Sequence, residues 1–244
     1  MSCKCFIRSG LCIAFALAKR DASEKVVFYH DIGRKWTSMG TGEDVFWAHM
    51  GKIRKGDVVC FDDGFRGVWD ARWMFARKKV DVRKIVFLAV GLVGRPGYLT
   101  WDEARAMQNE FGFEFQCHTW SHQTLAGPWN DEEPIPEDGR TEEWFRHELV
   151  DAKNELEKQL ERPVASLCLP VGHYSNDVLR RCRNAGYKKV YASLPGNATT
   201  DFLQPRCLVQ DLSPLAFAAV LNGGMMVFEN RYRRRQLFSD NSEA

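Results

Sequence analysis

Seven short apolar runs alternate with longer amphipathic stretches along most of this chain, and few folds accommodate that alternation. The runs cover residues 26–29, 58–61, 85–90, 113–117, 165–169, 189–192 and 206–209, and each reads as a buried strand. Residues 43–54, 69–79, 100–111, 141–161, 175–185 and 214–222 carry apolar side chains three and four positions apart, the spacing of one helix face. Thr100 with Glu103, Thr141 and Ser175 supply N-caps, and Gly112 and Gly186 supply stops. Strands joined by helices of this length pair in parallel through right-handed crossovers. An α/β protein with an open or distorted barrel is therefore expected, as one domain at 244 residues.

A parallel barrel collects the carboxyl ends of its strands on one face, where ligands and catalysis gather. Asp62 and Asp63 follow the second run, His118 and His122 follow the fourth, and His173 lies just beyond the fifth. One Asp with two His can hold a divalent metal and keep coordination positions open for water. The remaining Asp is then free to act as a base. Asp-Asp-Gly alone is ordinary turn chemistry, and a lone His pair is commonly structural. The argument rests on their conjunction at strand ends of like polarity.

These residues carry a family resemblance. Cys60-Phe61-Asp62-Asp63-Gly64, His118-Thr119-Trp120-Ser121-His122 and Cys168-Leu169-Pro170-Val171-Gly172 resemble the first three motifs of the polysaccharide deacetylases with a NodB homology domain, carbohydrate esterase family 4. Looser similarity covers about residues 26–222, including Leu99-Thr100-Trp101 and Trp144-Phe145-Arg146-His147-Glu148-Leu149. The resemblance implies a distorted seven-stranded (β/α) barrel of the NodB type. It implies a hydrolase removing N-acetyl groups from amino sugars of a polysaccharide, oligosaccharide or lipid-linked precursor. In that scheme Asp62 is the base, and Asp63, His118 and His122 bind a divalent metal, commonly zinc. The backbone N–H of Val171 helps hold the oxyanion, and Pro170, Gly172, Tyr174 and Trp120 belong to the substrate-binding surroundings.

Most family members place an acid histidine in a late motif, yet no histidine follows His173 here. Phe28-Tyr29-His30-Asp31-Ile32 is instead similar to the first-strand motif of poly-β-1,6-N-acetylglucosamine deacetylases, whose motif order is permuted. His30 is thus the expected acid, with His173 second; an imidazole's ordinary pKa near 6.5 suits proton donation. Two departures stand out. Cys168 occupies the position of the arginine that pairs with the base, and it has neither the charge nor the fork of donors. Arg66 or Arg206 must orient Asp62 in its place. The Asp and Trp of the fourth family motif are missing from residues 190–193. Two rival readings follow: hydrolysis of another amide or ester, by deacylation or deformylation, and a carbohydrate-binding domain without turnover.

Thirty-four Lys and Arg against 32 Asp and Glu create no global field, so nucleic acid is not an expected partner; the resemblance implies an acetylated glycan instead. Residues 223–244 form a basic tail with Arg231, Arg233, Arg234 and Arg235. Residues 1–25 form an extension in which Lys4 and Arg8 precede the apolar run 11–18, like an export signal. Eight cysteines without paired spacing favour a reducing compartment, so a cytoplasmic location is expected, with export the alternative. No run reaches the roughly 18 apolar residues of a membrane span, and the mature chain is expected to lack one. His49 and His147 read as structural or exposed, and Cys117 should point away from the side that His118 faces. Trp36, Trp120 and Trp129 are either sugar-stacking walls or packing residues. The loop 127–140 is either a substrate wall or a solvated excursion. Oligomeric state leaves no signature.

Overall fold

The structure, a computed structural model, describes residue 20 and residues 24–126, 140–193, 200–210 and 212–224. The signal-like run 11–18, the 127–139 part of the long loop with Trp129, and the arginines at 231–235 lie outside the described residues. No helix among the described residues is long and apolar enough to cross a membrane.

Among the ten described strands, β2 (Asp31–Ile32) and β3 (Gly40–Thr41) pair with each other. The rest are β1 (Val26–Tyr29), β4 (Val58–Phe61), β5 (Arg83–Leu88), β6 (Phe113–Cys117), β7 (Ser166–Cys168), β8 (Lys189–Ala192), β9 (Leu203–Pro205) and β10 (Cys207–Leu208). They form one parallel sheet in the order β10-β1-β4-β5-β6-β7-β8-β9. Arg206 alone separates β9 from β10. The same extended stretch therefore pairs first with β8, at Val190↔Leu203, and then with β1, at Phe28↔Leu208. This shared stretch nearly closes the barrel and serves as its seventh stave. Its weakest seam is between β6 and β7, which share the single register pair Cys117↔Leu167. There the Gln116 side chain stands in for a backbone partner, its Oε1 accepting Ala165 N–H at 3.0 Å and Ser166 N–H at 2.7 Å.

Strand alternation sorts the side chains into two clusters. Phe28, Val58, Cys60, Ile85, Phe87, Cys168 and Tyr191 fill the barrel. Val27, Tyr29, Val59, Phe61, Val86, Leu88, Cys117 and Leu167 face outward into the larger cluster shared with the helices.

The helices are α1 (Glu43–Met50), α2 (Gly67–Asp70), α3 (Arg72–Arg77), α4 (Trp101–Phe111), α5 (Glu142–Arg146), α6 (Ala152–Leu160), α7 (Asn176–Asn184) and α8 (Pro214–Ala219). Thr100 and Glu103 form a full capping box on α4, and Gly112 ends it in the left-handed region at φ 64°. Thr141 and Ser175 cap α5 and α7 through their side chains. Several outlines differ from the sequence reading: α1 stops at Met50, short of 54, and a π turn, Val220–Gly224, takes over from α8 within the expected 214–222. The stretch 69–79 breaks at Ala71 into α2 and α3, and a π turn, His147–Asp151, interrupts 141–161. Ahead of β1, Arg20 is buried in an ion pair with Asp57.

Asp31 is fully buried at the start of α2, where a Cβ on Gly67 would collide with its carboxylate. Burial pushes its pKa up to about 7, against the pull of the Ile32, Gly67 and Val68 amides. The folded chain thus keeps this proton at pH values where the unfolded chain, near 3.8, has released it. Stability should fall as pH rises between those two values. Asp31→Asn should flatten that slope, which thermal melts at acid and neutral pH would show as a variant that gains on the parent as pH rises.

Candidate active site

The register of the barrel puts the polar residues in a row. Tyr29 pairs with Phe61, so the next residues, His30 and Asp62, are neighbours on adjacent strand ends. By alternation they share the parity of Phe28 and Cys60 and face the barrel mouth. Asp63 would by the same rule face outward. It does not, because its φ of 68° turns the chain. Two adjacent carboxylates can then serve one site.

Among the described residues, four of the six non-glycine residues with positive φ lie in the three motifs: Asp63, Thr119 at 67°, His122 at 63° and Val171 at 61°. Such conformations cost about 1–3 kcal/mol each and cluster where geometry matters more than stability. The other two, Lys79 and Glu161, lie at helix ends.

His118 and Asp63 are almost fully buried, and His122 is half-buried. The His122 and His118 Nε2 atoms lie 2.9 and 3.3 Å from one carboxylate oxygen, Asp63 Oδ1, with the imidazole centroids 4.8 Å apart. Despite that closeness, Oδ1 has no aligned hydrogen bond among the described residues. The His118 ring is fixed from its other side, where Nδ1–H donates to Cys168 O at 2.8 Å. This bond turns Nε2 toward Asp63. Two nitrogens and a buried, orphaned oxygen, all within 4.8 Å, are the donor set of a cation site with His and carboxylate ligands. The residues therefore fit a divalent metal. Burial alone would raise the Asp63 pKa, but the two imidazoles reverse this and hold it well below the carboxylate range.

Asp62, 3% exposed, belongs to a different set of contacts. Arg206 grips it with both ends of the guanidinium, Nη1 to Oδ1 at 2.6 Å and Nη2 to Oδ2 at 2.8 Å. Nη2 also lies 2.8 Å from Cys168 Sγ. The guanidinium carbon sits 4.2 Å from the Phe28 ring centroid and 5.3 Å from that of Phe87, a stacked and dry environment suited to Arg. Burial pushes the Asp62 pKa up; the Arg206 charge and hydrogen bonds outweigh it, with smaller contributions from His118 and His30, and hold it below the usual value. Of the two arginines expected to orient Asp62, Arg66 pairs elsewhere, with Glu103 at 2.6 Å. A further group of ligand type, Asp62, His118 and Cys168, is occupied by the Arg206 cation.

His30 is half-buried, and its Nδ1 meets Gln210 Oε1 at 2.7 Å. Asp31, its chain neighbour, is turned toward α2. His173 has a buried Nδ1 with no hydrogen-bond partner among the described residues. Val171 is 50% exposed, between buried Pro170 and buried Gly172. Gly172 has φ 82°, and a Cβ there would press on Ser193. Tyr174 is half-buried in the same loop. Trp120 packs at a tilt against the His147 ring, centroids 4.4 Å apart, with its indole against Gly91. Trp36 donates Nε1–H to Asp70 at 2.9 Å, and Lys35 lies over its ring. His49 is structural, bonded to Tyr29 and Leu212 and stacked on Phe217.

Three residues near the site escaped the sequence reading. Gln210 follows the last strand, with no signal beyond its position. Tyr98 stacks on Phe65, and burial together with the Asp63 charge raises its phenol pKa. Glu148 accepts two amides of the His118–His122 loop. Its signal was an acid on the apolar face of a helix, three residues after Phe145 and four before Ala152.

Comparison with known proteins gives a family and a fold. The family model described as polysaccharide deacetylase matches residues 52–190, more than half of the chain. Among solved structures, a polysaccharide deacetylase from Bacillus cereus has a TM-score of 0.66 at 21% identity, covering 81% of this chain and 68% of its own. The deacetylase PplD of Streptococcus pyogenes, solved in complex with acetate, has a TM-score of 0.66 at 19% identity, covering 81% and 97%. IcaB from Ammonifex degensii has a TM-score of 0.65 at 17% identity, covering 83% and 98%. At these identities the likeness speaks to the fold. No curated protein matches the chain.

Proposed function

Because the chain belongs to the polysaccharide deacetylase family, we propose that it is a metal-dependent hydrolase that removes N-acetyl groups from the amino sugars of a glycan. The observation that carries this reading is the convergence of His118 and His122 on Asp63 Oδ1, beside a second carboxylate held apart by Arg206. Asp63, His118 and His122 would hold the cation, and zinc suits their mixed nitrogen and oxygen donors. A divalent cation there would acidify a water and polarise the amide carbonyl.

The chain's own residues supply the remainder. Asp62, kept ionised and fixed by Arg206, takes the proton of the attacking water. The backbone N–H of Val171, in its left-handed turn, donates to the developing oxyanion. Pro170 and Gly172 shape that turn, and Trp120 and Tyr174 flank the sugar. His30 protonates the leaving amine. With Nδ1–H donating to Gln210 Oε1, the proton transferred comes from Nε2 of the imidazolium.

Incubation with N-acetylglucosamine oligomers should release acetate, and elemental analysis should find one divalent ion per chain. An ion without acetate would favour another amide substrate; no ion would favour a binding domain. His30→Ala should keep the ion and lower kcat by about 10²-fold. An unchanged kcat would move the acid role to His173.

A further inference from the structure

The helix after the long loop is irregular: α5 and α6 are joined by the π turn His147–Asp151, and such insertions recur at functional sites. Two consecutive residues of that turn reach the His118–His122 loop. The His147 ring lies on Trp120. Glu148, 1% exposed, accepts the backbone N–H groups of Trp120 and Ser121 through one oxygen, Oε2, each at 2.9 Å. The two amides lie between the imidazole-bearing residues. On either side of them, Thr119 and His122 hold φ of 67° and 63°, and Thr119 Oγ1 accepts His122 N–H at 3.1 Å.

Strained backbone of this kind persists only where its surroundings over-determine it. A buried carboxylate that grips two amides does so, since hydrogen bonds to a charged acceptor are roughly twice as strong as neutral ones. Burying that charge is costly unless it is hydrogen-bonded, and here the amides of the loop supply the bonds. We propose that Glu148 is a positioning residue for the cation site, locking the His118–His122 loop from the π turn in its ligand-presenting conformation. The proposal rests on the reading of Asp63, His118 and His122 as cation ligands.

The measurement is Zn²⁺ affinity of the folded, metal-stripped chain by competition with a chromophoric chelator, paired with the visible spectrum of the Co²⁺ form. Glu148→Ala should weaken affinity roughly 10–100-fold, the usual effect of removing a group that orients a ligand. Glu148→Gln keeps an acceptor without the charge and should weaken it by less, roughly threefold to tenfold. Both should alter the Co²⁺ spectrum, because His122 is no longer held in place. If the alanine variant fails to fold, the glutamine variant decides. Wild-type affinity in either folded variant overturns the proposal. A parent chain that binds neither ion overturns the cation site itself, and the proposal with it.

Discussion

Asp62→Asn is expected to keep one divalent ion per chain and to lose about 10²–10⁴-fold in kcat, whereas Asp63→Asn is expected to lose the ion. The two residues are adjacent, but their contacts separate them. Both Asp62 oxygens are taken by Arg206, so an amide at that position leaves the cation ligands untouched. It has the right shape and cannot accept the proton. Asp63 Oδ1 is the point on which both imidazoles converge, and an Asn there removes the negative charge that a dication requires. Elemental analysis with kcat on an acetylated oligosaccharide distinguishes the two. An Asp62→Asn chain that comes out metal-free would reverse the assignments and sink this reading of the site.

How much of this was legible depends on which physics each residue expresses. Strands and helices announce themselves by apolar period; six staves fall on the expected runs, while the last run, 206–209, caught β10 and missed β9. Asp62, Asp63, His118 and His122 were visible because strand ends in a parallel barrel share one face. What could not be read was the backbone sign. Nothing in Phe61-Asp62-Asp63-Gly64 says that Asp63 takes φ 68° and so joins its neighbour on one side, a conformation that tertiary contacts impose. The Ala71 break and the π turn at 147–151 are likewise invisible to a period of 3.6. Arg206 was one of two options until the closing stretch showed it at the joint between β9 and β10, where its parity aims it into the barrel. Long-range partners such as Gln210 for His30, 180 positions apart, leave no local trace.

Arg206→Met should be the most destabilising of the site substitutions. The arginine side chain is fully buried and its partner nearly so, and removing one member of such a pair strands a charge at a cost of about 3–5 kcal/mol. The pH dependence should change sign. In the parent, Arg206 holds the Asp62 pKa below its value of 3.8 in the unfolded chain. The pair's stability is thus present above that value and lost as pH falls through the folded pKa. Without Arg206, burial outweighs the smaller pull of His118 and His30 and raises the Asp62 pKa, so stability is lost as pH rises, and the acid limb of kcat/KM moves to higher pH. Adding Asp62→Asn should recover much of the lost stability, since the stranded charge is gone. A further double variant, Arg206→Ala with Cys168→Arg, returns the guanidinium to the family's usual position, next to the same carboxylate. If the charge matters more than the strand that delivers it, this chain should regain the acid limb of the parent. Thermal melts and pH–rate profiles read both outcomes, and an Arg206→Met chain with parental profiles would show that Asp62 needs no such partner.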